Sequence, residues 1–531
     1  MADTATKGFI TGAVINARNT EIFVAKETSV GTLVYPSASG AVTVTEVTFA
    51  QTAGYSDVEA IRSSRTPIDK VFNRMDYGTF SVTLSAMPVQ ASTAGAGNIA
   101  APQNEGLMLE MALGKVTDTT VESPDVNAVT CSNASDATPS VLTVTSGHGF
   151  KVGDMIKVDG ITGTGMTAAQ LATVSVNGVT NTTLTTDMEL NGKTIGGTIT
   201  VDLNCVRYEL AKNIGSFSMW MNRESSDGYA KIQHALAGCT VDTMSTSFDK
   251  SGELQYTFSG QCSRIYRGGT FGIDADLATS STASISGDTT LVTGFNPSDV
   301  IFSGMKFNIM ASDTKTFYAE TWVVTAVHAT DGTITVTGQT PAATVDSDTA
   351  ICMPVLPTHA TQTDSQVVSK RSGAVYFGSK NGMNTSTAAR ASANLLPVKT
   401  ASLDMSQAIE TPLLEELNGT DFPEAAFLPG LRSSTGSFQL VVRGDDQRQY
   451  EKIRKNDRSS LVFKVGDSTK ETYMEFYIPH AQSEVPADSD VDGAPAQDFS
   501  FTALEPELLL MSATGTEKAE AEFRIWYKPH Q

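Results

Sequence analysis

Asp488-x-Asp490-x-Asp492-Gly493 has residue types and spacing that approach a metal loop. Carboxylates at alternate positions followed by a glycine turn are the opening of an EF-hand calcium loop. The twelfth position of such a loop needs a glutamate to close the coordination, and here it is Phe499, with no helical pattern in front. The stretch reads as a plain acidic loop. His148 lies between Gly147 and Gly149, a turn context, with no nucleophile or carboxylate whose spacing marks it as a partner. His234 has no second histidine four residues on, and His480 follows Pro479 as a strand-end residue.

The five cysteines, Cys131, Cys205, Cys239, Cys262 and Cys352, are scattered and form no C-x-x-C pair, which argues for buried reduced thiols. "GGTFGIDAD" and "GITGTGMT" lack the Gly-Lys-Ser/Thr of a phosphate loop. Trp220, Trp322 and Trp526 are dispersed, as core or interface anchors are. Arg443, Arg448, Lys452, Arg454, Lys455 and Arg458 cluster without interleaved aromatics, so they suit a solvated or interface helix better than a nucleic-acid patch. A glycan-cleaving enzyme would need paired carboxylates across a cleft, and no spacing suggests them. The expectation is a protein with no covalent chemistry, no cofactor and no metal.

The elements around these residues are strands. The chain has 531 residues, too many for one core, and its Thr, Ser, Val and Gly content favours strands and turns. The formal net charge of −21 gives no counterion release on DNA, so tight nucleic-acid binding is not expected. The first residues lack a signal-peptide layout and no apolar run is long enough for a membrane span, so synthesis and folding in a cytoplasm are expected.

Four blocks emerge: a first domain over 1–124 and 204–272, a small β module over 125–203 inserted in it, a second small β module over 273–356, and a last domain over 357–531. "VTVTEVTFAQ" and "GTFSVTLSAMP" alternate as half-buried strands. "NEGLMLEMALGK" is a short helix with Asn104 as N-cap and Gly114 as stop. Asn177-Gly178 and Asp331-Gly332 mark hairpin turns inside the modules. "SSDGYAKIQHALAG" reads as a helix from Ser225 or Ser226 to Gly238, and "DDQRQYEKIRKN" as another in the last block. Two phrases repeat: "GSFSMWM" from Gly215 and "GSFQLVV" from Gly436 each reach a Tyr-x-Lys-Ile 14 residues later. A duplicated strand-rich domain explains the echo, although a second register, pairing "GTFSVTLS" with "GSFQLVV", is also open.

At this point the residues resemble a known family. "VTVTEVTFAQ", the long loop with "SSRTP", "GTFSVTLS", "LAGCTVDTMSTSFDKSGELQYTFSGQ" and "FYIPHAQSEVPADSDVDGAPAQDFSFTALEP" are similar to tail tube proteins of long-tailed bacteriophages of the siphovirus type. The resemblance implies two tube-type β-sandwich or partial-barrel domains, each with a flanking helix, fused in one chain. It implies a homotrimeric, pseudo-hexameric ring, stacking of rings into a tube, contact with other tail proteins, and passage of double-stranded DNA without specific binding during ejection. The place implied is the virion tail, after synthesis in the host bacterial cytoplasm. The rival reading is a multi-domain β adhesin or receptor-binding tail protein. Two long loops are candidate inter-subunit or inter-ring contacts: one carries Arg62, Arg65, Lys70 and Arg74, the other Glu410, Glu415, Glu416, Asp421 and Glu424. Reversing Arg62 and Arg65 to Glu is then expected to lower assembly.

Overall fold

The computed structural model describes residues 15–58, 69–87, 102–117, 126–190, 197–211, 214–225, 231–272, 289–292, 301–311, 317–337, 350–358, 370–379, 395–411, 427–442, 459–466, 473–504 and 522–528, single or paired positions within these ranges apart. The chain is mainly β. The first repeat holds β1 (Ile15–Lys26), β2 (Ala41–Val42), β3 (Val44–Ala50), the ribbon of β4 (Ala53–Val58) and β5 (Asp69–Met75), β6 (Gly78–Ser85), helix α1 (Gly106–Leu113) and β7 (Gly114–Thr117). Strands β8 to β13 (Val129–Ala134, Val141–Val144, Met155–Asp159, Val174–Val179, Thr183–Thr186, Ile199–Leu203) close into a six-stranded barrel. The repeat resumes with β14 (Val206–Leu210), β15 (Phe217–Ser225), β16 (Lys231–Phe248), β17 (Gln255–Cys262) and β18 (Arg264–Gly269). A separate six-stranded sheet follows, made of β19 to β24 (Phe271–Gly272, Thr289–Val292, Lys306–Ala311, Phe317–His328, Thr333–Thr337, Ala350–Pro354).

The second repeat holds β25 (Ala374–Ser379), β26 (Leu395–Leu396), β27 (Val398–Ser406), the ribbon of β28 (Ile409–Glu410) and β29 (Leu428–Pro429), β30 (Ser433–Val441), β31 (Ser459–Val465), β32 (Tyr473–Ser483), β33 (Ala487–Val491), β34 (Ala494–Ala503) and β35 (Arg524–Lys528). The pairings of the two repeats match strand for strand. In the first, β2 pairs β1, β1 pairs β15, β15 pairs β16, β16 pairs β17 and β18, β17 pairs β6, and β6 pairs β3. In the second, the same places are taken by β26, β25, β31, β32, β34 and β35, β30, and β27. Strand β33 continues β32 along β34, as the second half of β16 continues along β17.

Hydrogen-bond register fixes the correspondence to the residue. Strand β3 has one bulge, between Val44 and Glu46 opposite Leu84 and Thr83. Strand β27 has its bulge between Val398 and Thr400, opposite Leu440 and Gln439. Aligning the bulges makes Phe80 the counterpart of Gly436 and Gly260 the counterpart of Phe501. Phe80 lies across from Gly260, and Gly436 across from Phe501. Each repeat fills the same place with one phenyl ring, taken from opposite strands of the pair. A Cβ at either glycine would strike a backbone carbonyl, that of Thr240 or of Ser402, and the facing ring. The repeated "GSF" phrases are therefore not counterparts. "GSFSMWM" forms β15, whose counterpart is β31.

The helix expected over 225–238 is not formed at its described residues, Ser225 and 231–238, which are strand. Residues 231–248 make a strand of 18 residues, flanked on its first half by β15 and β18 and on its second by β17 and β27. Helix propensity of Ala235, Leu236 and Ala237 loses to burial in a sheet whose both edges are taken. Gly238, at φ 64, bends this strand. The buried Glu27 carboxylate holds the bend, accepting from Gly238 N at 2.8 Å, Gly31 N at 2.9 Å, Ser218 Oγ at 2.7 Å and Ser216 Oγ at 2.9 Å. The helix read over 445–456 lies outside the described residues.

Helix α1 forms as expected, with Gly114 in the left-handed conformation at φ 91 and its N–H on Glu110 O. Asn104 is not its N-cap. Its side chain instead accepts from Thr43 N at 2.5 Å and donates to Ser85 O at 2.9 Å, tying the link between β2 and β3 to the end of β6. Asn177 and Gly178 lie inside β11 rather than at its turn, and Gly178 sits at a bulge. One apolar core runs through both repeats. The barrel has its own core, into which Tyr473 and Trp526 of the second repeat enter. Phe23, Trp220 and Ala235 of the first repeat share the core of the β19–β24 sheet.

Candidate functional site

The two repeats are joined by strand addition. The second half of β16 pairs antiparallel with β27, from Thr243 opposite Ser406 to Phe248 opposite Ala401. Its core-facing residues Met244, Thr246 and Phe248 stand opposite Met405, Leu403 and Ala401, and all six are buried. Phe248 is the anchor: its ring stacks on Phe463 at 5.2 Å and meets Phe476 edge-on at 5.1 Å, both in the second repeat. Beyond the ladder, Asp242 latches the chain where it leaves β27. Its carbonyl accepts from Gln407 N at 2.7 Å and its carboxylate from Ile409 N at 2.9 Å. Ala408 between them takes φ 47, a costly conformation for an L-residue, which turns both N–H groups toward Asp242.

A second junction crosses between the repeats. Strand β14 pairs with β35, Val206 opposite Tyr527 through Glu209 opposite Arg524. Its buried side chains form an ionic network. Arg207 pairs with Asp154 of the barrel and sits 3.3 Å from Glu209, while Arg524 Nε donates to Glu209 at 2.8 Å. Trp526 Nε1 donates to Asp154 at 2.9 Å, and Lys528 pairs with Glu475 at 2.6 Å. Burial opposes ionisation of Glu209, but Arg207 and Arg524 outweigh it and hold the carboxyl down at about 2. Burial and the same network act on Arg207, where Asp154 and Glu209 raise its pKa. The network locks barrel, first repeat and second repeat together.

The counterparts of the first junction are open. By the register, β33 corresponds to the part of β16 that pairs β27, and β3 corresponds to β27. Among the described residues β33 pairs only with β34, β3 only with β6, and β18 only with β16. Val47 and Phe49 on β3 stay half-buried, where their counterparts Ala401 and Leu403 are buried by β16. Tyr55 and Val485, near the same two edges, are 58% and 70% exposed. Among the described residues the ladder that runs from β33 to β3 thus ends in an unpaired edge on each of those strands.

The two candidate loops occupy equivalent places, each carrying a two-stranded ribbon after β3 or β27. Lys70 and Arg74 lie on β5, with Lys70 exposed and Arg74 half-buried, and Glu410 is exposed on β28. Arg62, Arg65, Glu415, Glu416, Asp421 and Glu424 lie outside the described residues, as do the basic residues read around 443–458. The loops meet at their bases, where Tyr77 and Phe427 have ring centroids 5.7 Å apart.

The remaining residues singled out for chemistry are structural. His148 is a turn histidine: Nδ1 accepts from Phe150 N at 3.2 Å and Nε2 lies 3.0 Å from Thr180 O. His234 lies on β16, where burial, with Arg223 and Arg267 nearby, lowers its pKa to about 4. All five cysteines are buried and free. The acidic stretch at Asp488 is strand β33, and the Asp490 carboxylate accepts from Gly493 N at 2.8 Å in the hairpin turn. Among the described residues no three ligand-type side chains gather as a metal site would require. A scan against protein-family models finds no match to this chain, and a search of curated proteins finds none either.

Proposed function

We propose that this chain is a structural virion protein, a tail tube subunit whose rings stack around a channel for DNA. The observation that carries the reading is the β16·β27 junction together with its two vacant counterparts. One repeat donates the edge of β16 and the next receives it on β27. The donor edge of the second repeat and the receiver edge of the first are unpaired among the described residues, so a second copy can dock by the rule the chain already uses within itself. A donor edge meeting a different receiver edge is a heterologous contact, which closes into a ring when the rotation per unit divides the circle. Two units per chain make three chains the equivalent of six single units.

Net charge supports the same reading. At −21 the protein repels phosphates, so a duplex passing through a bore lined by it is not held by ion pairs. The arrangement performs no bond chemistry; its work is to bury strand edges and keep a passage open. Negative-stain electron microscopy of the purified full chain tests the proposal. Rings or tubes of uniform bore are expected. Compact monomers at every concentration and salt would overturn it.

A further inference from the structure

Resting on that reading, we propose that Glu484 is a second carboxylate latch, which fastens one copy of the chain to the next as Asp242 fastens the first repeat to the second. The pairing on β17 and β34 sets the correspondence. Val241 lies opposite Gly260, and Ser483 opposite Phe501, the counterpart of Gly260. Thr246 lies opposite Tyr256, and Asp488 opposite Gln497, the counterpart of Tyr256. The spacing between these two fixed points is the same in both repeats, so Asp242 falls on Glu484 and Ser247 on Ser489. Both latch positions are acidic and both follow the equivalent pair, Asp242 at the bulge inside β16 after Val241 and Glu484 just past the end of β32 after Ser483. Glu484 is exposed, and its own N–H is on Ser500 O at 2.9 Å, so the backbone is already placed.

The receiver is equally marked. Aligned on the bulges of β3 and β27, Ser402 falls on Thr48, and the Gln407–Ile409 turn falls on Ala53–Tyr55. Gly54, in β4 and outside the left-handed region in the single chain, falls on Ala408 at φ 47, and a glycine can enter that conformation without steric cost when the seam forms. The inferred seam therefore pairs Ala487 with Ala50, Asp488 with Phe49, Ser489 with Thr48 and Asp490 with Val47 of the next copy. By the same geometry the Glu484 carbonyl accepts from Ala53 N–H and its carboxylate from Tyr55 N–H of the next copy. The seam differs from the one within the chain at every core-facing donor position: Met244, Thr246 and Phe248 fall on Pro486, Asp488 and Asp490. The contact between copies therefore lacks the apolar row and its aromatic plug and depends more on the latch.

Two variants of the full chain and one cross-link test this. Glu484→Ala is expected to lower the assembled fraction about tenfold at fixed protein concentration, the loss of one charge-assisted hydrogen bond, with the melting temperature of the unassembled chain unchanged. Asp242→Ala is expected to do the reverse, lowering the melting temperature of the single chain. Thr48→Cys combined with Ser489→Cys, oxidised with oxidised glutathione, is expected to link copy to copy, ending in a closed covalent ring. Wild-type tubes that form while Glu484→Ala assembles normally and the cysteine pair stays unlinked would overturn the latch and leave the tube reading standing. A wild-type chain that never assembles would overturn both.

Discussion

The Tyr527 hydroxyl donates a 3.0 Å hydrogen bond to the buried carboxyl of Glu105. It ties the last strand of the second repeat to the start of α1 in the first. Glu105 also accepts from Met87 N, 3.1 Å from each oxygen, and Tyr256 lies behind Tyr527 at 3.4 Å. Burial pushes the carboxyl up to about 7, against the pull of those donors. An acid whose folded pKa is raised contributes stability below its unfolded pKa and loses it as pH rises through the folded value. Glu105→Gln is therefore expected to gain stability over wild type at pH 8, on the order of 3 kcal/mol, and little at pH 4. Urea unfolding at the two pH values reads this directly; equal differences at both would contradict it.

The ionic network acts with the opposite sign. Glu209, held down at about 2 by Arg207 and Arg524, contributes stability above its unfolded pKa that is lost as pH falls toward 2. Arg207→Met removes one partner and leaves Asp154 and Glu209 buried beside fewer charges. The expected cost at pH 7 is about 3–5 kcal/mol, and denaturant titration measures it.

Phe248 carries the joint between the repeats. Phe248→Ala is expected to cost about 3–5 kcal/mol, because the buried ring it removes lies against Phe463 and Phe476. Calorimetry of the variant is expected to show the repeats melting in separate steps where the wild-type chain melts as one.

The exchanged phenyl rings predict matched sensitivity. Gly260→Ala and Gly436→Ala each place a methyl against a backbone carbonyl and a ring. Each is expected to destabilise by about 1–3 kcal/mol. A neutral result at one site and not the other, by thermal melting, would break the equivalence of the two repeats.

Where the ribbons meet, the Tyr77 and Phe427 rings predict a coupling of about 0.5–1.5 kcal/mol in a double-mutant cycle of Tyr77→Ala with Phe427→Ala. Additive losses would mean the loops do not act together.

Much of this was legible in the residues. Alternation marked β3 and β6, and Phe80, Val82 and Leu84 of β6 point inward as period two demands. The helix at Gly106 and its glycine stop were legible because apolar run, length and terminator agree. The second part of the 231–248 strand was legible at Cys239–Phe248, but 231–238 was not, since Ala-Leu-Ala favours a helix locally and the competing sheet edges come from residues far away in sequence. Of the two registers open in the sequence, the pairing of the two "GSF" phrases was wrong, while "GTFSVTLS" with "GSFQLVV" joins the right strands, β6 and β30, two residues out of step. "GSF" recurs by composition, while the true correspondence exchanges Phe for Gly across a strand pair and erases identity where the structures agree most closely. Asp242 and Glu484 were missed for the same reason: only the register places them alike, and each acid taken alone looks like an ordinary surface residue.

Because one β16·β27 joint is built into every polypeptide, any closed ring made from this chain holds an even number of repeats, whatever its diameter. Neighbouring joints around it also alternate in kind. Those inside a chain are secured at synthesis and cannot dissociate, so only the others need collision, concentration and time. The two sorts are free to drift apart in sequence, one toward a greasy plug and the other toward a releasable acidic clasp. The circle that results has half its fastenings permanent from the outset.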